Sequence, residues 1–154
     1  LHIDHAGALR YFPDSEIIVQ LDEYRYAHHP APWAASNYRK ADFDYPNLKW
    51  KLIDGDYHLF KGATVVLSHG HSPGTQALVV DLPQTGTVIL AGDSVPLKRN
   101  VEKGILPGIV WNSDLAMKSI QRLKVIAEER GGAIFPGHDV EVFKAQKKFP
   151  DFYR

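Results

Sequence analysis

The sequence predicts an α/β (α+β) domain in which helices flank a mostly antiparallel sheet. Short apolar runs with strand character come first, turn residues separate them, and one long amphipathic segment follows late in the chain. This order is typical of a layered domain in which helix packs on sheet. The length of 154 residues fits one domain, so residues 1–154 are predicted to fold as a single domain.

The strand predictions depend on apolar runs that end in turn residues. The run E-I-I-V-Q predicts a short buried strand, and the alternation of apolar and polar residues over 48–53 predicts another. Pro-Gln-Thr-Gly at 83–86 predicts a hairpin turn between the last two strands of the series. The predicted strands of this series are 16–20, 48–53, 63–67, 76–82 and 87–91, and a further short strand is predicted at 133–135.

Two segments have helical character. A polar stretch over 22–29 predicts a short helix, and the Pro- and Ala-rich residues 30–47 predict an irregular excursion after it. Over 113–130 apolar residues recur at helical spacing. Ser113 is the predicted N-terminal cap of this long helix, and Gly131 marks its end.

The composition excludes several classes of function. Eighteen basic and eighteen acidic side chains cancel, so nothing favours nucleic acid or an anionic membrane as a partner. No apolar run is long enough to span a bilayer. Cysteine is absent, which leaves His and carboxylate as the metal ligands and favours a reducing compartment. A cytoplasmic location is therefore expected, although a leader in a preceding segment would lie outside this sequence.

Candidate metal ligands occur at four places, each just after an apolar run or beside glycine. One is the opening L-H-I-D-H-A-G, and the others follow the runs at 63–67, 87–91 and 133–135. Each alone is typical of an ordinary turn, but together they indicate a site for zinc or a similar divalent ion. The set is too large for one tetrahedral ion, which predicts two ions about 3.5–4 Å apart that share a carboxylate. The candidates are His2, Asp4, His5, His71, Asp93 and His138.

These residues resemble the metallo-β-lactamase-fold hydrolases, whose signature is H-x-H-x-D-H followed by a distant His, a bridging Asp and a final His. Here the sequence begins within this signature, as x-H-I-D-H with Leu1 as the first x. The resemblance implies an αββα sandwich, of which this chain would be the C-terminal part. It also implies that a histidine precedes Leu1 in a longer, N-terminally extended hydrolase.

Within that superfamily the chain most resembles the N-acyl-homoserine lactonases, the quorum-quenching enzymes. The likeness is carried by I-I-V-Q-L-D-E-Y, I-D-G-D-Y, G-H-S-P-G-T-Q, S-I-Q-R-L-K, F-P-G-H-D and F-P-D-F-Y. It implies hydrolysis of the lactone ring of N-acyl-homoserine lactones, the small-molecule partners, by a hydroxide that bridges two divalent metals, most simply Zn²⁺.

The resemblance also implies a role for each candidate ligand. His2 and His71 would bind one metal, together with the histidine expected before Leu1. The second metal would be held by Asp4, His5 and His138, and Asp93 would bridge the two. Asp4 would in addition be catalytic, as the general acid that protonates the leaving alkoxide.

One position departs from the lactonase pattern. The family has a tyrosine three residues after the bridging aspartate, where it contacts the substrate carbonyl, and this chain has Pro96 there. Proline has no side-chain donor. The nearby polar residues that could replace it are Ser94, Lys98 and Arg99.

Two alternatives to lactonase activity stay open at this stage. A dinuclear centre on the same scaffold would also serve an aryl esterase, a phosphotriesterase or a thioesterase. A partial domain would instead be inactive, and would associate through its exposed half of the sandwich core.

Several apolar residues in irregular stretches have two possible roles. They would either line a wall for the acyl chain or pack in the core or in a homodimer contact. They are Trp33, Tyr38, Phe43, Ile105, Ile109, Val110 and Trp111.

Overall fold

The structure is a computed structural model that describes residues 1–154. By its internal contacts the chain divides into two compact units, Leu1–Asp54 and Gly55–Arg154. None of its helices is both long and apolar enough to cross a membrane. The folding of residues 1–154 as one domain stays a prediction.

The first unit contains two strands and short helices. Its strands β1 and β2 pair in parallel, in a register that runs from Glu16 opposite Lys49 to Gln20 opposite Ile53. Single 3₁₀ turns cover Leu9–Tyr11, Ala35–Asn37 and Lys40–Asp42 within the segments that connect them. The helices and strands of this unit are α1 (Ile3–Ala6), β1 (Glu16–Gln20), α2 (Leu21–His28) and β2 (Lys49–Ile53).

A small aromatic core holds the first unit together. Tyr38 and Phe43 are buried there beside Ala27, and Trp50 of β2 packs against them. The residues of the irregular segment 30–47 thus supply part of the core, and this assigns Tyr38 and Phe43 to packing.

The second unit is a five-stranded sheet with helices. The order of its strands is β3-β4-β5-β6-β7. Neighbours are antiparallel except for the last pair, β6 and β7, which run parallel. Its elements are β3 (Tyr57–Phe60), β4 (Ala63–Leu67), β5 (Gln76–Leu82), β6 (Gly86–Gly92), α3 (Lys98–Lys103), α4 (Ser113–Arg130), β7 (Ala133–Pro136) and α5 (Val140–Ala145).

Helix α4 covers one face of this sheet. Ile120 and Leu123 of the helix are fully buried against Val79 and Ile89 of the central strands. The helix spans 18 residues and is the longest in the protein, as its periodicity predicts. Its N-terminal cap is Asn112, whose side chain accepts a hydrogen bond from the amide of Leu115 at 3.0 Å, so the assignment of the cap to Ser113 was wrong.

The central strands are apolar on both faces. In β6, Ile89 faces α4, while Val88 and Leu90 alternate with it and point to the opposite side. Val88 is buried, whereas Leu90 is 46% exposed. Strands that are apolar on both faces are typical of a sheet inside a layered sandwich.

Candidate metal centre

Asp93 lies at the end of β6, where Gly92 turns the chain with a φ of 51°. Its carboxylate is buried and meets a histidine at each oxygen. Oδ2 lies 3.2 Å from Nε2 of His71, and Oδ1 lies 2.7 Å from Nε2 of His138. A buried charge is stable only with partners of opposite charge or with a metal. The structure therefore brings together three of the predicted ligands.

The hydrogen bonding of His71 indicates that a cation fits beside it. Nδ1 of His71 lies 3.0 Å from the carbonyl oxygen of Ile109, and since a carbonyl only accepts, the ring proton is assigned to Nδ1. In the neutral ring Nε2 then points a lone pair at the carboxylate of Asp93. Two ligand atoms on one tetrahedral zinc lie roughly 3.3 Å apart, which is close to the 3.2 Å between Nε2 and Oδ2.

The loop that carries His71 is tied to helix α4 and to the segment before it. The hydroxyl of Ser119 donates to the carbonyl of His69 at 2.6 Å. The amide of Trp111 donates to the carbonyl of Gly70 at 2.8 Å. These bonds use the main chain of His69 and Gly70, and they fix the position from which His71 projects.

A buried pair of serines links the loop of His71 to Asp93. The hydroxyls of Ser68 and Ser94 lie 2.6 Å apart, and Ser94 also lies within 3.1 Å of the Ser68 carbonyl. Both residues are almost fully buried. Because this hydroxyl is occupied inside the protein, Ser94 is not the substitute donor that the sequence suggested. Lys98, another candidate, pairs with Glu102 at 2.9 Å.

The serine pair leads to a prediction about stability. Ser68→Ala and Ser94→Ala should each lower the free energy of unfolding by about 1 kcal/mol, because each removes the hydrogen bond between the two buried hydroxyls, while the remaining hydroxyl keeps a main-chain carbonyl as acceptor. The double variant should lose less than the sum, by about 1 kcal/mol. Urea unfolding of the wild type and the three variants measures this coupling. Strict additivity would show that the two hydroxyls do not interact.

His138 follows β7, and its side chain is 48% exposed. The contact to Asp93 at 2.7 Å has the length of a hydrogen bond, and a proton on Nε2 or a shared cation would satisfy it. His71 and His138 thus each contact a different oxygen of the Asp93 carboxylate. That is the arrangement expected of a carboxylate that bridges two ions.

The remaining candidates lie together in the first unit. His2 immediately precedes α1, and its ring packs edge-on against Tyr38 with 4.6 Å between the centroids. Asp4 and His5 belong to the single turn of α1 and are about half exposed, with 3.4 Å between Oδ2 and Nε2. Within this unit, His and carboxylate donors therefore occupy one helical turn.

The sequence analysis did not identify some of the groups that orient the predicted metal ligands. The carbonyl of Ile109, which orients His71, belongs to the main chain and leaves no signature in side-chain types. The apolar residues of the same segment are accessible: Ile105 is 42%, Ile109 62% and Trp111 38% exposed. These three are available to contact a ligand, in contrast to Tyr38 and Phe43.

The chain belongs to the metallo-β-lactamase superfamily, because residues 1–138 match the family model described as "Metallo-beta-lactamase superfamily". The predicted fold class and superfamily are thus confirmed. The chain is 36% identical to the N-acyl homoserine lactonase AttM of Rhizobium radiobacter over 159 residues. It is 38% identical over 152 residues to the N-acyl homoserine lactonase AiiA of Bacillus thuringiensis subsp. kurstaki.

Each of these alignments covers 99% of this chain, and 60% of AttM or 58% of AiiA. The chain therefore spans about 60% of the length of the curated relatives that it matches. One similar solved structure is an N-acyl homoserine lactone hydrolase with N-hexanoyl-L-homoserine bound at its catalytic metal center. It superposes with a TM-score of 0.89 at 38% identity, covering 100% of this chain and 58% of the other. The predicted resemblance to the lactonases is confirmed.

Proposed function

We propose that this chain is part of a metal-dependent hydrolase that opens the lactone ring of N-acyl-homoserine lactones. The observation that carries the proposal is Asp93, whose two carboxylate oxygens face His71 and His138. The similarity to proteins named as lactonases supports the choice of substrate class. The product in the similar solved structure supports it further.

The proposed cofactor is a pair of divalent ions, most simply zinc. His71, Asp93 and His138 would hold them, and the nitrogen and oxygen donors of this cysteine-free chain suit Zn²⁺. That His2, Asp4 and His5 complete the set stays a prediction, made on the resemblance. Bound ions of this kind would lower the pKa of a water molecule to near neutrality and polarise the lactone carbonyl.

The side chains of this protein would orient the reactants and move one proton. The Ile109 carbonyl holds the ring of His71 in one orientation, and the buried carboxylate of Asp93 separates His71 from His138. In the reaction, water adds to the carbonyl carbon and the ester C–O bond of the ring breaks. Asp4 would give the proton that converts the leaving alkoxide to the hydroxyl of the ring-opened acid.

The segment around 105–111 is proposed to contact the acyl chain. Trp111 donates its amide to the carbonyl of His71 at 3.1 Å, and Ile109 accepts from the ring of His71. The accessible apolar side chains of Ile105, Ile109 and Trp111 therefore lie on the segment that contacts His71, a proposed metal ligand. An apolar wall beside a few polar groups is typical of small-molecule sites. A homodimer and a cytoplasmic location stay predictions from the sequence.

A second activity deserves a direct comparison because Pro96 departs from the lactonase pattern. Another hydrolase of the same scaffold would cleave thioesters, aryl esters or phosphotriesters. The test is turnover by the zinc-loaded full-length protein on all of these and on N-acyl-homoserine lactones, with ring opening followed by proton release. Efficient cleavage of the other esters without any lactone opening would contradict the lactonase proposal and leave a metallohydrolase.

The residue at position 96 leads to a further prediction. Pro96→Tyr in the full-length protein should raise the turnover of N-acyl-homoserine lactones several-fold, because it supplies a side-chain donor at the carbonyl. A donor aimed at developing charge is worth about a hundredfold in rate, but the carbonyl is already polarised, so the gain should be smaller. Metal content and folding are compared in both proteins, and Pro96→Phe, which lacks the hydroxyl, is the matched control. Equal rates for the Tyr and Phe variants would refute the donor role.

A further inference from the structure

The loops that carry Asp93 and His138 run side by side beyond the ends of their strands. The parallel register of β6 and β7 ends with Gly92 opposite Pro136. Two main-chain hydrogen bonds continue it, from the Gly137 amide to the Val95 carbonyl at 3.1 Å and from the His138 amide to the Pro96 carbonyl at 2.9 Å. The position of His138 relative to Asp93 is therefore set by the pairing of these two loops.

The side chain of Asp139 forms hydrogen bonds to the helix that follows each of the two loops. Its Oδ2 accepts the amide of Lys98, at the start of α3, at 2.9 Å. Its Oδ1 accepts the amide of Val142, in the first turn of α5, at 3.1 Å. One carboxylate thus caps two helices, one from each loop. The Lys98 amide, and after it the Val142 amide, lower the pKa of Asp139 below its ordinary value.

Helix α5, which begins two residues after His138, itself adds little packing to these loops. Helix α5 has six residues and buries none of them, and a helix this short is not stable by itself in water. Gly137 sits so close to Gly92 that a Cβ there would lie 2.7 Å from the Gly92 carbonyl oxygen. The two loops are in contact, but no buried side chain of α5 keeps them so.

We infer that Asp139 is a positioning residue of the metal centre, which holds Nε2 of His138 against Oδ1 of Asp93 by joining the starts of α3 and α5. This inference rests on the proposed function, since it concerns the same ligands. Asp139 does not touch the substrate or the ions in this role. Groups that orient metal ligands in this way typically change metal affinity by about 10- to 100-fold when they are removed.

The test uses Asp139→Asn in the full-length protein. The amide oxygen of asparagine can still cap α5 through Val142, but its NH₂ group would face the Lys98 amide, so only the link to α3 is lost. The matched control is Glu141→Gln, which removes the same charge from the first turn of the same helix, where Glu141 pairs only with Lys144 at 2.9 Å. Asp139→Ser, which can cap but is too short to reach Lys98, serves as a second variant in case the first fails to fold.

Two measurements that do not depend on catalysis read out the result. Zn²⁺ affinity, determined against a chelator, should fall about tenfold for one of the two ions in Asp139→Asn and stay at the wild-type value in Glu141→Gln. Hydrogen exchange of the Lys98 and His138 amides should be faster in Asp139→Asn and Asp139→Ser but not in Glu141→Gln. Unchanged affinity in Asp139→Asn and Asp139→Ser would overturn this inference alone, whereas a wild-type protein that binds no zinc would overturn the metal centre and this inference together.

Discussion

Replacement of Asp93 by alanine is expected to abolish the proposed lactone hydrolysis by the metal-loaded full-length protein. The carboxylate of Asp93 meets both His71 and His138, at 3.2 and 2.7 Å. Its removal takes away the proposed shared ligand and leaves the two histidines without a common partner. The rate should fall by at least the roughly hundred- to thousandfold that the loss of one electrostatic group costs. Proton release during ring opening measures it.

Two further variants separate this effect from a general loss of structure. Asp93→Asn keeps the shape of the side chain and one acceptor oxygen but loses the charge, so it should retain the fold while its zinc content falls below that of the wild type. Asp14→Ala removes a fully exposed carboxylate and should change neither activity nor zinc content. If Asp93→Ala kept its zinc and its rate, the assignment of Asp93 as the shared ligand would be wrong.

The elements that sequence periodicity predicts are those long enough to repeat their pattern. The strands at 63–67 and 76–82 and the helix at 113–130 have the predicted bounds. By contrast, α3 and α5 were not predicted, because each has six residues and they bury one side chain between them, that of Asn100. A helix without a buried stripe has no apolar period to detect.

The same distinction applies to the site. The convergence of His71, Asp93 and His138 could be predicted because each follows an apolar strand beside glycine. The groups that position them are different in kind. Ser68 and Ser94 lie 26 residues apart, and Asp139 contacts the main chain of Lys98, 41 residues away. Contacts of this range depend on how strands are ordered in the sheet, which the residue types alone do not specify.

Gly70 illustrates a residue whose type is required by the approach of another element. Its φ is +133°, in a region that side chains of L-residues rarely adopt. An added Cβ would lie 2.2 Å from the amide nitrogen of Ala116 and 2.3 Å from its Cα. Both are main-chain atoms of the first turns of α4, so they cannot rotate away as a side chain would.

Gly70→Ala is therefore expected to lower the free energy of unfolding by about 4 kcal/mol or more, among the largest effects of a single substitution. Small domains are stable by about 5–15 kcal/mol, so this variant should be marginally folded. Any folded fraction should also bind zinc more weakly, because relief of the clash moves the loop that carries His71. Urea unfolding and zinc content measure the two effects.

Gly55→Ala is the control that isolates the clash from backbone strain. Gly55 also has a positive φ, +88°, but nothing lies within 4 Å of an added Cβ there. Its replacement should cost only about 1–2 kcal/mol, the penalty of a positive φ. The difference between the two variants measures the contact with α4, because both place alanine at a positive φ and only Gly70→Ala adds a clash with Ala116. Equal losses in Gly70→Ala and Gly55→Ala would show that α4 does not press on the loop of His71, and the close packing that positions this ligand would have to be abandoned.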